Sequence, residues 1–388
     1  PDAFLSAVEK GLQGERPVLL DLFVEEQDPL FGSSHHTGLL WALETLAWSP
    51  EYLGYAVLLL AKLARLDPGG KLANRPKSSL YEIFLPWHPQ TTASLDQGLR
   101  VLDTIRGREP EVAWQLLRQL ISGHGGVAFN TAKPTWREWV QEPPRRITQG
   151  EYSKAIRAIV TRMLADVGES ASRWRDLIEI LAALPVDQHE VVVQRLASID
   201  AERLQLSDRA VIWNALRQVI SRHRSFSDAG WALPPERIDR LEEVFLQFEP
   251  QEPASRYGWL FSTNPALPEG REGDWRVHQG AVANARMNVV RALYAQTRLA
   301  GVLDLIKCVE APGELGATLG QGELAEDEED DLLCEHLGSE DTARAQFARG
   351  FVVGRILSRH REWVETKLVG VAKGWSPAQR AELLICLP

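Results

Sequence analysis

The chain has 388 residues, of which 44% are hydrophobic and 25% are charged, and its formal net charge is −10. This composition is typical of a folded protein and excludes an intrinsically disordered chain. An acidic chain gains no affinity from counterion release on a phosphate backbone, so general nucleic-acid binding is disfavoured, although a local basic patch is compatible with this charge.

Cysteine usage and hydropathy bear on the cellular compartment. The three cysteines form no CxxC pair, which favours a reducing compartment over a disulfide or zinc framework. The most apolar stretch, Tyr52 to Leu66, is broken by Lys62 and Arg65 and is shorter than the about 20 apolar residues that span a bilayer. No signal peptide is visible. Because the chain starts at Pro1 and ends just after an apolar helix, we expect a fragment of a larger cytoplasmic protein without a membrane partner.

Apolar residues recur at spacings of three and four along most of the chain, which predicts amphipathic helices. Thr37 is expected to cap an early helix. Ser94 and Gln97 form a capping-box pair at the start of a later one, and Gly107 is placed to end it. In chain order, the main predicted helices are 38–47, 49–66, 94–107, 110–123, 152–168, 174–184, 207–220, 235–250 and 376–385.

The predicted helices come in pairs joined by short turns. One pair follows another about every 35–45 residues, a period shared by tetratricopeptide (TPR), HEAT and armadillo arrays. No run of alternating polar and apolar residues competes with this pattern; only 18–24 is ambiguous, and a short helix suits it equally. We therefore predict an all-α fold, an α-solenoid of degenerate TPR-like or HEAT-like helix pairs.

Four segments rich in proline, glycine or acidic residues interrupt the pattern: 68–92, 123–150, 251–273 and 311–331. We predict a repeat array over 1–250 with insertions at 68–92 and 123–150. A continuing array over 251–388 would hold an acidic linker near 311–331. The six acidic residues from Glu326 to Asp331 repel one another, and they lack the glycine and spacing of a calcium loop. This linker is the best candidate for disorder, whereas insertions in repeat proteins often project from the binding face.

Motifs that carry chemistry are missing from the sequence. There is no HExxH, GxSxG or GxGxxG string, and Gly69-Gly70-Lys71 lacks the other residues of a P-loop. His35 and His36 could ligate a metal, but no carboxylate or cysteine lies at helical spacing from them, so a polar helix entry is the favoured interpretation. We predict no catalytic residue, no metal site and no cofactor.

The chain holds 13 tryptophans. Those within predicted helices are expected in the core: Trp41, Trp114, Trp174 and Trp213. Others lie in or beside insertions: Trp87, Trp136, Trp139, Trp231 and Trp275. Aromatic anchors are enriched in binding hot spots, but for any one of them packing of the loop onto the helices is favoured. The basic residues Lys133, Arg137, Arg145 and Arg146 could contact nucleic acid beside these rings, although a solvated loop is the favoured interpretation.

One part of the chain resembles a known family. The segment Asn74–Thr91 (NRPKSSLYEIFLPWHPQT) is followed by a predicted helix around Arg100–Ile105, by PEVAW at Pro110–Trp114 and by PTWR at Pro134–Arg137. Together they resemble the C-terminal helical-repeat region of large bacterial antiphage proteins. These are the STAND-type NTPases of the Avs group and related defence proteins with sirtuin-like effector domains. The similarity is clearest from Phe31 to Trp139.

The resemblance implies a sensor. In that family an effector and a central ATPase precede a helical C-terminal region that recognises a phage protein by shape, such as the terminase large subunit or the portal protein. Binding lets the ATPase oligomerise, through regions that would lie outside this chain, and switches on the effector. The resemblance assigns no binding residue to a position of this sequence.

Three functions are open. The chain is a non-catalytic protein-recognition region of an antiphage protein, a generic scaffold or adaptor solenoid, or an unrecognised metal-dependent enzyme that uses His35 and His36. For contact with a protein partner, the aromatic and basic side chains of the first two insertions are the candidates: Arg75, Trp87, His88, Trp136, Arg137 and Trp139.

Overall fold

The computed structural model describes residues 1–24, 35–122, 127–140, 146–271 and 273–386. Within these ranges the chain is helical and contains no β-strand, so the predicted all-α class is confirmed. The chain divides into two compact units, Pro1–Gln194 and Arg195–Pro388, with the boundary inside one helix. No helix in the described ranges combines the length and the apolar character needed to cross a bilayer.

The first unit is built mainly from α-helices, and the last helix that begins in it extends past the boundary after Gln194. The helices are α1 Asp2–Gly11, α2 His36–Ala47, α3 Leu53–Leu66, α4 Pro76–Phe84, α5 Leu95–Arg108, α6 Pro110–Ser122, α7 Gln149–Asp166, α8 Ala171–Glu179 and α9 Val186–Ala197. The predicted capping box of Ser94 and Gln97 is present at the start of α5, and a second one, Thr148 with Glu151, starts α7. Each box satisfies backbone donors that the first helical turn leaves unpaired.

Helices of the first unit pack against their nearest neighbours in the chain. Helices α2 and α3 each contact the next helix and the next but one, and α4 contacts α6. Helix α5 packs on α6, which packs on α7. Their apolar stripes meet in a core that includes Leu43, Leu60, Ile83, Leu117 and Ile159. The face of each helix opposite its apolar stripe is exposed to solvent, so polar and some aromatic side chains lie on the surface of the unit.

The second unit mixes short helices with three that are longer than any of the first unit, the first, fourth and seventh of those that follow. The helices are α10 Leu206–Ser225, α11 Pro235–Gln247, α12 Pro253–Tyr257, α13 Trp275–Asp304, α14 Pro312–Gln321, α15 Glu326–His336, α16 Thr342–Val369 and α17 Pro377–Ile385. Two of them are kinked, at Arg298 in α13 and at His360 in α16, where φ is positive. The core gathers aromatic and aliphatic side chains such as Phe261, Phe347 and Phe351.

Glycines bring α14 and α16 into backbone contact. A β-carbon on Gly316 or Gly320 would collide with the backbone of Phe347 or Phe351, and one on Gly350 or Gly354 would collide with the backbone of α14. Only a residue without a side chain lets two helices approach this closely. This small-residue contact fixes the distance between α14 and α16.

A buried ionic cluster joins α15 to α16. The Glu329 carboxylate accepts hydrogen bonds from Arg355 (Nε to Oε2, 2.8 Å) and Trp363 (Nε1 to Oε1, 2.7 Å), and Lys367 Nζ also lies 3.0 Å from Oε1. Burial alone would raise the pKa of Glu329. The hydrogen bonds from Trp363 and Lys367 and the positive charge of Arg355 outweigh burial and hold the pKa below its usual value.

This cluster corrects the expected acidic linker near 311–331. That segment forms α14 and the start of α15, because cations from α16 neutralise part of the acidic run. The insertion at 68–92 is likewise partly helical. Within it, α4 starts at Pro76 and buries Leu80 and Ile83 in the core.

One further expectation differs from the structure. Thr37 does not cap α2, which begins one residue earlier at His36 and has no side-chain cap. The arrays over 1–250 and 251–388 stay a prediction, since the boundary after Gln194 separates compact units and not repeat arrays. The segment after 250 packs on α10: Arg217 donates to the Ala266 carbonyl (2.5 Å), and its guanidinium lies 3.8 Å from the ring centre of Trp259.

Candidate protein-binding surface

Residues 127–140, here called the docked loop, contain no regular secondary structure but are held to the first unit by buried polar side chains. The Gln90 side chain donates to the Phe129 carbonyl (2.6 Å) and accepts from the Thr131 amide (2.6 Å). The Trp48 indole donates to the Thr131 hydroxyl (3.2 Å). Gln90 and Thr131 are both buried, so these bonds are protected from competing water.

Two carboxylates from neighbouring helices complete this attachment. Glu44 of α2 accepts from the Ser79 hydroxyl (2.6 Å) and from the Ala132 amide (2.8 Å). Glu82 of α4 accepts from Gln90 (3.2 Å) and from the Phe129 backbone amide. Burial, with the nearby negative charge of Glu44, raises the pKa of Glu82 against the lowering effect of these hydrogen bonds. The loop is thus positioned by a continuous polar network beneath it.

Above the network, large apolar side chains face solvent. Trp136 is 94% exposed and Phe129 is 73% exposed, and Val127 of the same loop is also exposed. Trp41, on the outer face of α2, is 56% exposed. Single exposed apolar residues are common in soluble proteins, but here several lie on or beside one loop whose backbone is fixed. Rigid aromatic anchors of this kind are enriched in protein interfaces.

The predicted contact residues fall into two groups. Three of them lie in the docked loop: Trp136 and Arg137 are exposed, while Trp139 is half-buried and packs on Tyr52 with ring centres 5.8 Å apart. Arg137 lies 5.7 Å from the ring centre of Trp139. The structure therefore leaves Trp136 and Arg137 available to a partner and uses Trp139 to hold the loop down.

The other three lie around α4. Arg75 pairs with Asp67 (Nε to Oδ2, 3.1 Å) and covers the ring of Phe23, so its charge is engaged inside the protein. Trp87 and His88 are half-buried, with ring centres 5.8 Å apart. These contacts indicate a mainly structural role for Arg75.

Sequence reasoning missed several residues of this surface. Trp41 was expected in the core with Trp114, Trp174 and Trp213; the last three are buried, but Trp41 is exposed. On a helical wheel Trp41 lies roughly 130° from the centre of the arc that holds Leu40 and Leu43, so the spacing could have revealed it. Glu44, Glu82 and Gln90 carried no local signal, because their partners are distant in the chain.

His36 of the histidine pair makes its contacts within the protein. His36 is buried, its Nε2 lies 2.7 Å from the Asn74 carbonyl oxygen, and its ring stacks on Phe23. Across the described ranges, no group of three His, Cys, Asp or Glu side chains is placed to hold a metal ion. Arg145 of the basic cluster lies outside the described residues, and Lys133 lies 5.7 Å from the ring centre of Trp48.

Comparison of the chain with known protein families, with curated proteins and with solved structures finds no match in any of the three. Evidence about function therefore comes from the geometry of the docked loop and from the sequence pattern.

Proposed function

We propose that this chain is a non-catalytic protein-recognition region that binds a folded partner through the docked loop. The observation that carries the proposal is the contrast between a buried polar network that fixes the loop and the nearly complete exposure of Trp136 above it. A loop that is ordered before binding loses less conformational entropy when a partner arrives. Burying an exposed indole then adds a large apolar contact at an interface.

The architecture supports an extended binding surface. Contacts between consecutive helices and between alternate helices in the first unit suit a solenoid of helix pairs, which presents a long surface to a folded partner. We propose that the chain as a whole is a degenerate TPR-like or HEAT-like α-solenoid.

The sequence resemblance suggests the class of partner. We propose that the chain acts in the bacterial cytoplasm as the sensor region of a STAND-type antiphage protein, and that the partner is a phage protein such as a terminase large subunit or a portal protein. The ATPase and the effector would lie elsewhere in the longer protein.

Binding of purified terminase large subunits and portal proteins, from a panel of phages, to the immobilised chain tests this function. For a partner that binds, Trp136→Ala should weaken affinity about 30-fold, the effect of losing a hot-spot side chain worth about 2 kcal/mol. Trp275→Ala is the matched control, because Trp275 is also an exposed tryptophan but lies in the second unit. It should leave affinity unchanged.

Two results would count against the proposal. Failure of every terminase and portal protein to bind would remove the proposed class of partner. Binding that survives both Trp136→Ala and Phe129→Ala would place the interface away from the docked loop. Because both side chains are exposed, the variants should melt at the temperature of the unmodified protein, which separates lost contact from lost folding.

A further inference from the structure

A cavity of about 560 Å³ lies beside the docked loop. Trp41 of α2, Tyr81 of α4 and Phe129 of the loop contribute aromatic side chains to its lining. Glu44 and Glu82 contribute two carboxylates. We call this cavity the acidic pocket. Its position next to exposed aromatic side chains places it within the surface that the proposed function assigns to a partner.

Neither carboxylate of the acidic pocket has a cationic partner among the described residues. Glu44 is only 5% exposed and Glu82 only 6% exposed. Their hydrogen-bond donors are all neutral: two side chains, Ser79 and Gln90, and two backbone amides. No Arg or Lys in the described ranges forms an ion pair with either carboxylate. Elsewhere in the protein a buried carboxylate is neutralised, as Glu329 is by Arg355.

Trp41 and Phe129 are two of the aromatic side chains that line the acidic pocket. Across the described residues, neither Trp41 nor Phe129 stacks on another ring or lies under a basic group. Comparable tryptophans are covered: Lys133 lies over Trp48 and Arg173 lies over Trp114. The faces of aromatic rings attract cations, most strongly where water is partly excluded.

We propose that the acidic pocket receives a lysine or arginine side chain of the protein partner. The inference rests on the proposed function and adds to it the chemistry of the partner's contact residue. Charge complementarity is the argument: two buried carboxylates and uncovered aromatic faces together suit a basic group with an apolar stem.

A divalent metal ion fits the acidic pocket less well. Calcium needs six to eight oxygen ligands, and magnesium needs six in octahedral geometry. Here the carboxylate oxygens already accept N–H and O–H donors that hold the docked loop. The remaining acceptor positions of two carboxylates fall short of the number of ligands that either metal needs, whereas a basic side chain needs fewer of them.

Titration of the isolated chain with blocked arginine tests the inference without the partner. The probe is N-acetyl-argininamide, and its neutral isostere, N-acetyl-citrullinamide, is the control ligand. The 13 tryptophans are labelled with 5-fluorotryptophan, and the fluorine resonance of Trp41 is assigned by its loss in Trp41→Phe. We expect the Trp41 resonance to shift in a saturable way with the arginine probe and to stay in place with the citrulline probe.

Variants separate the acidic pocket from general surface charge. Glu82→Gln should weaken binding of the arginine probe about tenfold, the loss expected for one charge-assisted hydrogen bond. Glu138→Gln, which removes an exposed acid of the same loop, should change affinity by less than about twofold. Burial holds the pKa of Glu82 above its usual value. As pH is lowered, affinity for the arginine probe should therefore begin to fall at a higher pH than it would with an ordinary glutamate.

Equal shifts with both probes, or equal effects of the two glutamate variants, would overturn the inference. Agmatine that binds far more tightly than the blocked arginine would assign the pocket to a free amine instead of a protein side chain. Failure of the probe while a partner still binds through Trp136 would leave the proposed function standing. If the probe binds but no protein partner is found, the basic-group site would stand and the proposed function would fall.

Discussion

The glycine contact between α14 and α16 gives the sharpest test of the fold. In Gly316→Ala the new methyl group would lie against the carbonyl oxygen of Phe347 and 2.9 Å from the backbone nitrogen of Phe351. Both neighbours are backbone atoms of a long helix, so neither can turn aside as a flexible side chain would. The two helices must separate, and the core contacts around Phe347 and Phe351 must loosen.

The size of the effect follows from two opposing terms. Forcing an extra methyl group into a packed interface costs about 1–3 kcal/mol. Alanine in a helix is favoured over glycine by about 0.5–1 kcal/mol. The net loss in the free energy of unfolding should therefore be roughly 1–2 kcal/mol, which corresponds to a fall in Tm of about 2–8 °C for a unit of this size.

Gly280→Ala is the matched control, because Gly280 lies in α13 of the same unit and a β-carbon there would meet nothing within 4 Å. This variant should be stabilised by about 0.5–1 kcal/mol, since it gains helix propensity without a clash. Thermal and urea unfolding of both variants, followed by circular dichroism, measures the difference. If Gly316→Ala is as stable as Gly280→Ala, the close approach of α14 and α16 is refuted.

Three other perturbations probe buried polar groups. Glu329→Gln should lower the free energy of unfolding by about 3–5 kcal/mol, because it leaves the buried Arg355 without its charged partner; urea unfolding measures this, and a loss below about 1 kcal/mol would contradict it. Burial lowers the pKa of His336 in the folded protein. As pH falls, the unfolded chain therefore binds the proton at a higher pH than the folded chain does, and the free energy of unfolding should fall as pH drops below about 6.5. In His336→Gln the difference in Tm between pH 7 and pH 5 should shrink, and an unchanged difference would assign the pH dependence to other groups. Gln90→Ala should release the docked loop, because it removes bonds to two backbone groups at a total cost of roughly 2–4 kcal/mol. Trypsin should then cleave after the exposed Arg137 of the docked loop faster than in the unmodified protein, whereas equal cleavage would show that Gln90 does not hold the loop.

Predictions that rest on local patterns are confirmed most fully. The capping box of Ser94 and Gln97 is present, because its donors and acceptors lie three residues apart. Tryptophans on apolar helix faces, such as Trp114 and Trp174, are buried as expected. The helical class follows from the same three- and four-residue spacing.

Predictions that depended on the surroundings of a segment are wrong. The run from Glu326 to Asp331 was expected in a linker because like charges repel. It starts α15, since Arg355 and Lys367 reach it from α16. The segment 68–92 was expected as an insertion because of its prolines and glycines, yet Pro76 stands at a helix start, where proline is favoured.

The amino-acid sequence by itself determined the approximate positions of about half of the helices, since capping and amphipathic spacing act within a few residues. Tertiary structure alone decided which polar groups share an interior. The bond from Ala132 to Glu44 joins residues 88 positions apart, and the bond from Thr131 to Gln90 joins residues 41 apart. No local propensity encodes such pairs, because they arise only when packed helices bring distant backbone and side-chain atoms together in a place from which water is excluded.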